Sequence, residues 1–103
     1  MSNERYLSPQ VLRVLAAVEL MAGKELDGVE PKQLAQELDT SPADVTRILA
    51  NLAHAGWAER LPGNEKRWRL HKKPVQLSNT VDHNIKNVLR NLQQEYSNYS
   101  ILR

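Results

Sequence analysis

Thr40-Ser-Pro-Ala-Asp-Val-Thr-Arg-Ile-Leu-Ala-Asn-Leu-Ala-His-Ala-Gly-Trp57 is the stretch on which the fold turns. It opens with a helix start stated three times. Ser41 suits the N-cap, Pro42 the first helical position, and Asp44, three residues after Ser41, can close a capping box. Val45, Ile48, Leu49 and Leu52 then recur at helical spacing, and Gly56 is placed to end the helix in a left-handed turn. That apolar stripe leaves Ala43, Asp44, Thr46, Arg47, Ala50, Asn51 and His54 facing outward. A face so small and polar can lie in a DNA groove.

Upstream, Pro31 opens a shorter helix in which Leu34, Ala35 and Leu38 follow at the spacing of a buried face, and Asp39-Thr40 is the turn between the two. Two short helices joined by so short a turn, the second strongly capped, form the helix-turn-helix pattern. Before them, Ser8-Pro9 repeats the cap-then-proline start. From there Val11, Leu12, Leu15, Val18 and Leu20 predict an apolar helix face running to Ala22, with Gly23 as its end. Lys24 to Gly28 is a polar loop, and Leu26 and Val29 around Asp27-Gly28 are able to form a short extended piece that pairs with a later strand. Residues 1–7 are expected to be a flexible N-terminus.

Downstream of Gly56 the period changes. Trp57 to Leu61 reads as a strand, Pro62-Gly-Asn-Glu-Lys66 as a turn, and Arg67-Trp-Arg-Leu-His71 as a returning strand with strict alternation. Trp68 and Leu70 point to one side, Arg67, Arg69 and His71 to the other. A basic hairpin directly after a helix-turn-helix is a wing. Lys72-Lys73-Pro74 then reads as a connector. Ser78-Asn79 is placed to cap a last helix, in which Val81, Ile85, Val88, Leu89, Leu92 and Tyr96 recur at 4-3-1-3-4 spacing. Asparagines line another face of this helix, so its intrinsic propensity is low and packing must hold it. The expected organisation is a flexible segment over 1–7, a winged helix-turn-helix over 8–73, a helix for packing or dimerisation over 74–96 and a flexible tail over 97–103. The fold class is mainly α with a small β-hairpin: a three-helix core, a wing and a C-terminal helix.

At 103 residues the chain suits one domain with a modest core. It has no Phe, so Leu, Val, Ile and Ala must fill that core, with Trp57 and Trp68 as its largest side chains. The absence of cysteine excludes disulfides, thiolate zinc sites and a cysteine nucleophile. No apolar run approaches the roughly 20 residues that cross a bilayer, and Met1 to Tyr6 lacks the apolar core of a signal peptide. A cytoplasmic location is expected. The net charge of +2 hides an asymmetry: residues 25–44 carry a balance of −5 and residues 45–73 a balance of +5. Such a distribution suits a surface that meets a polyanion.

Residues 8–71 together resemble the winged helix-turn-helix DNA-binding domain of the IclR family of bacterial transcription regulators. The resemblance rests on Val11-Leu-Arg-Val-Leu15, on Leu34-Ala35 with Leu38, on Val45-x-Arg-Ile-Leu-x-x-Leu52 with Gly56-Trp57, and on Trp68-Arg-Leu70 closing the wing. It implies that the third helix is a recognition helix and that Arg47 takes the place of the family's arginine there. The chain departs from the pattern at Asp44, where the family usually has Thr, and at His71, where Gly usually follows the wing's Leu. No counterpart of the family's effector-sensing domain is present, so no small-molecule effector is implied.

The candidate DNA-binding residues are Ser41, Ala43, Asp44, Thr46, Arg47 and Asn51 on the third helix and Lys66, Arg67 and Arg69 on the wing. Arg47 has the reach for a phosphate or a guanine edge, and Thr46 offers a hydroxyl and a methyl to phosphate or thymine. Each has a plainer reading: Ser41 caps the helix whatever else it does, Arg47 can pair with Asp44, and Asp44 can serve only as a capping acid. As a contact, Asp44 would accept from a cytosine amino group. Lys66, Arg67 and Arg69, with Lys72 and Lys73 behind them, make the electrostatic case.

His54, His71 and His83 show no metal-ligand spacing, and no nucleophilic triad, carboxylate pair or glycine-rich phosphate loop stands out. Neither an enzyme nor a cofactor is expected. The last helix either packs on the first or offers Val81, Ile85, Val88 and Leu92 as a two-heptad seam to a second copy. The homodimer is preferred, because two-fold symmetry lets a small domain read two half-sites. The expected partner is double-stranded DNA, bound by a sequence-specific transcriptional regulator. The rival is a winged-helix module that binds another protein through the acidic surface of residues 25–44.

Overall fold

The helix starts read at Ser8-Pro9, Pro31 and Ser41-Pro42 become helix starts in the structure. The computed structural model describes residues 4–101, in the order α1 (Pro9–Met21), α2 (Pro31–Glu37), α3 (Pro42–His54), β1 (Ala58–Leu61), β2 (Asn64–Leu70) and α4 (Lys72–Tyr99). The fold is mainly helical with one antiparallel hairpin, a winged helix-turn-helix followed by a C-terminal helix. Residues up to Lys72 form one compact unit and those from Lys73 another.

Ser8 caps α1 by accepting from the Val11 amide, and Ser41 caps α3 by accepting from the Asp44 amide at 3.1 Å. α2 closes its own capping box: the Glu30 and Gln33 side chains each reach the other's backbone. Asp39, with a φ of 51°, makes the left-handed step between α2 and α3.

In the first unit the core is Ala17, Met21, Val29, Leu34, Ala35, Val45, Ile48, Leu49, Leu52 and Ala58, with Trp57, Trp68 and Leu70 packed against it. All four stripe residues of α3 are buried. α1 corrects an expectation. Its core face is Ala17 and Met21, flanked by Val14, Val18 and Leu20, whereas Val11, Leu12 and Leu15 are exposed. The helix is apolar nearly all round, so spacing alone does not choose its buried face, and small Ala17 is the side chain that lets it approach closely.

The hairpin pairs Ala58 with Leu70, Glu59 with Arg69, Arg60 with Trp68 and Leu61 with Asn64, with a bulge between Arg60 and Leu61. Its turn is only Pro62-Gly63, so β2 starts at Asn64, earlier than the alternation from Arg67 suggests. The extended piece before α2 adds an isolated antiparallel bridge to β2: Val29 and Trp68 exchange two backbone hydrogen bonds of 2.8 Å each. Gly28 makes this bridge possible. It sits at a φ of +73°, and a Cβ there would lie 3.0 Å from Arg67 Cβ and 3.1 Å from the Trp68 carbonyl oxygen.

α4, nearly all of which belongs to the second unit, begins at Lys72, not at Ser78, and Lys72-Lys73-Pro74 is its first turn rather than a connector. Proline is compatible with that turn because the first amides of a helix have no intrahelical acceptor. The helix runs to Tyr99, three residues past the Tyr96 boundary and into the expected flexible tail. Of the expected flexible N-terminus, residues 1–3 lie outside the described residues, and Glu4–Tyr6 form a 3-10 turn. Residues 102–103 of the expected tail also lie outside them. No helix of the described residues is long and apolar enough to cross a membrane.

Candidate nucleic-acid interface

Burying Val45, Ile48, Leu49 and Leu52 turns the opposite side of α3 outward. Ser41, Ala43, Thr46, Arg47, Ala50, Asn51 and His54 are all exposed. Thr46 donates its hydroxyl to the Pro42 carbonyl at 3.0 Å, and the Asn51 amide donates to the Arg47 carbonyl at 2.8 Å. Both polar groups are therefore held on the helix surface with hydrogen-bonding capacity to spare. Among the described residues the Arg47 guanidinium has no side-chain hydrogen bond or ion pair.

Asp44 leaves this face. Its side chain is only 14% exposed and is turned toward α1, where it accepts from Thr40 Oγ1 at 2.8 Å and from Gln10 Nε2 at 2.8 Å. Arg13 Nη1 stands 3.3 Å from it. Only the Ser41 half of the expected capping box forms at this helix start. The Thr40 hydroxyl bond, then Gln10 and the charges of Arg13 and Arg47, hold the Asp44 carboxyl below its ordinary value against the opposing effect of burial. Asp44, which the sequence offered as a capping acid or a reader of cytosine, joins α3 to α1 instead.

The wing's cations divide into two groups. Arg67 donates to the Asp27 and Gly28 carbonyls at 3.1 and 3.2 Å and pairs with Glu30 at 3.4 Å. Arg69 pairs with Glu59 through a 2.8 Å bond and reaches the Glu25 carbonyl at 3.3 Å. His71 Nδ1 lies 3.2 Å from the other oxygen of Glu59. These side chains stitch the hairpin to itself and to the loop before α2. Lys66, in contrast, is exposed and makes no side-chain hydrogen bond or ion pair among the described residues.

Two cations that sequence reasoning passed over join the site. A cleft of about 380 Å³ between α3 and the wing is lined by Pro31, Thr46, Leu49, Arg60, Lys66 and Trp68. Arg60 is fixed there, its guanidinium 4.8 Å from the Trp68 ring centre and bonded to the Glu65 carbonyl at 2.7 Å. A neighbouring depression, lined also by Glu30 and Pro31, brings Lys32, at the start of α2, to the same rim as Lys66 and Pro42. Lys32 stands alone in an acidic stretch of sequence, so only its placement marks it. The cross-strand alternation of Arg60 with Trp68 was the available signal for Arg60. The candidate seam residues Val81, Ile85, Val88 and Leu92 all lie on one exposed stripe of α4. No group of three or more His, Asp or Glu side chains among the described residues is arranged to hold a metal ion.

No protein-family model, no curated protein and no solved structure matches this chain.

Proposed function

We propose that the winged unit binds double-stranded DNA and acts as a sequence-specific transcriptional regulator of the kind the IclR resemblance implies. The carrying observation is the open face of α3, where Arg47, Thr46 and Asn51 stand among small Ala43 and Ala50, with Lys66 and Lys32 across the adjoining cleft. Small residues let the helix sink into a major groove, and Arg47 then reaches a guanine edge or a phosphate. Lys66, at the wing, meets the backbone. Arg67 and Arg69 support the wing's shape more than they supply free charge, so the attraction rests on a few cations and is modest.

The rival reading, a protein-binding module using its acidic surface, keeps exposed Glu25, Asp27, Glu37 and Asp39. It loses Glu30 and Asp44, whose carboxylates already face Arg67 and Arg13. Titration of labelled random duplex from about 50 to 200 mM salt separates the two readings, because each phosphate contact steepens the salt dependence of binding. Selection of bound sequences then tests for specificity. Duplex binding that is absent at the low-salt end would end the DNA reading.

A further inference from the structure

α4 is a 28-residue helix with no buried residue. Val81, Ile85, Val88, Leu89 and Leu92 are 54–63% exposed and Tyr96 is 77% exposed. The same helix holds Asn79, Asn84, Asn87, Asn91 and Asn98, each a weak helix former. A helix of this composition is marginal by itself in water and needs its apolar face covered. We propose that a second copy of this chain covers it, the two α4 helices packing antiparallel about a two-fold axis at Val88–Leu89. This does not depend on the DNA reading.

The spacing supplies the argument for the occupant. From Val81 to Tyr96 the apolar steps are 4, 3, 1, 3 and 4, a sequence that reads the same in both directions. Such spacing lets apolar residue meet apolar residue in each layer of an antiparallel pair about a two-fold axis, where residue i meets j and j meets i. Reversing one helix about its midpoint sets Val81 against Tyr96 of the partner subunit, Ile85 against Leu92 of the partner subunit, and Val88 against Leu89 of the partner subunit. The Val81–Tyr96 and Val88–Leu89 layers then set a smaller side chain against a larger one, which favours interdigitation.

The flanks of the stripe agree. Asn84, Asn91 and Asn98 follow one another at seven-residue steps along one side, and in an antiparallel pair like flanks face each other. Amides donate and accept equally, and Glu95 on the same side comes level with Asn84 of the partner subunit, so this flank meets itself without repulsion. On the other side Asp82 is bridged by Lys86 at 2.9 Å, which leaves that flank locally neutral. The stripe is also nearly straight: Tyr96 follows Ile85 by 11 residues, about three turns of 3.6, so it drifts little around the helix. Its length from Val81 to Tyr96, roughly 22 Å at 1.5 Å per residue, gives a small interface, and the dimer should dissociate on dilution.

The chain has no cysteine, which makes crosslinking clean. Val81→Cys mixed with Tyr96→Cys under mild oxidation should give a covalent mixed dimer, while Val81→Cys alone stays uncrosslinked. In parallel, light scattering on the unmodified chain should show twice 11.8 kDa at high concentration, and Ile85→Asp should return the mass to that of one chain with the thermal unfolding of the winged unit unchanged. A single-chain mass throughout the dilution series, a dimer that survives Ile85→Asp, or self-crosslinking of Val81→Cys in place of the mixed product would each overturn the proposal.

Discussion

Asp44, in the first turn of α3, faces Arg13 of α1 at 3.3 Å, with the Thr40 hydroxyl and the Gln10 amide completing its environment. The pair joins the helix that would read DNA to the helix that supports it. Because these contacts hold the Asp44 carboxyl below its ordinary value of 3.8, they favour the folded state wherever the carboxyl is ionised. The contribution is complete above the ordinary value and is lost as pH falls through the lower folded-state value. Asp44→Asn should therefore unfold at lower denaturant than the parent at neutral pH, and the gap should close below about pH 4. Denaturation midpoints of both chains from neutral to acid pH check this, and a constant gap contradicts it.

Arg47 and Lys66 should separate under titration. Arg47→Ala is expected to weaken a selected site by about tenfold, in the range of 1–3 kcal/mol for a base contact, and to relax preference at one position. Lys66→Ala should weaken all duplexes alike and lower the salt slope by about one. Anisotropy titrations at several salt concentrations measure both, and equal effects on selected and random duplex for Arg47→Ala would remove its reading role.

Arg67 should behave as a structural residue. Its bonds to the Asp27 and Gly28 carbonyls tie the wing to the chain before α2. Arg67→Ala is expected to cost about 0.5–1.5 kcal/mol of stability, while the salt slope of any DNA binding changes less than in Lys66→Ala. Chemical denaturation beside the same titrations tests this. A fully stable variant with a much flatter salt slope would move Arg67 into the interface.

Gly28→Ala should destabilise the winged unit by about 1–3 kcal/mol, because it strains a left-handed residue and drives a methyl group against β2. The loss should appear with exchange of the Val29 and Trp68 amides, whose hydrogen bonds to each other's carbonyls form the bridge to β2. Unchanged protection of these amides would show that the loop tolerates the methyl group.

Local signals in the sequence determined the helix starts at Ser8 and Ser41, the buried stripe of α3 and the existence of a wing. Each depends on groups a few residues apart, where hydrogen-bond reach and side-chain period act without knowledge of the rest of the chain. The open face of α3 was legible for the same reason, apart from Asp44. Its partners Gln10 and Arg13 lie 34 and 31 residues away, beyond what spacing encodes. The tertiary structure alone decided which cations are spent, setting Arg67 against Glu30 and leaving Lys66 open. It also brought Lys32 beside Lys66 and chose Ala17 and Met21 as the core face of α1. Pairings of that kind depend on how packed elements meet in space, and a charge or an apolar residue carries no local mark of what it will face.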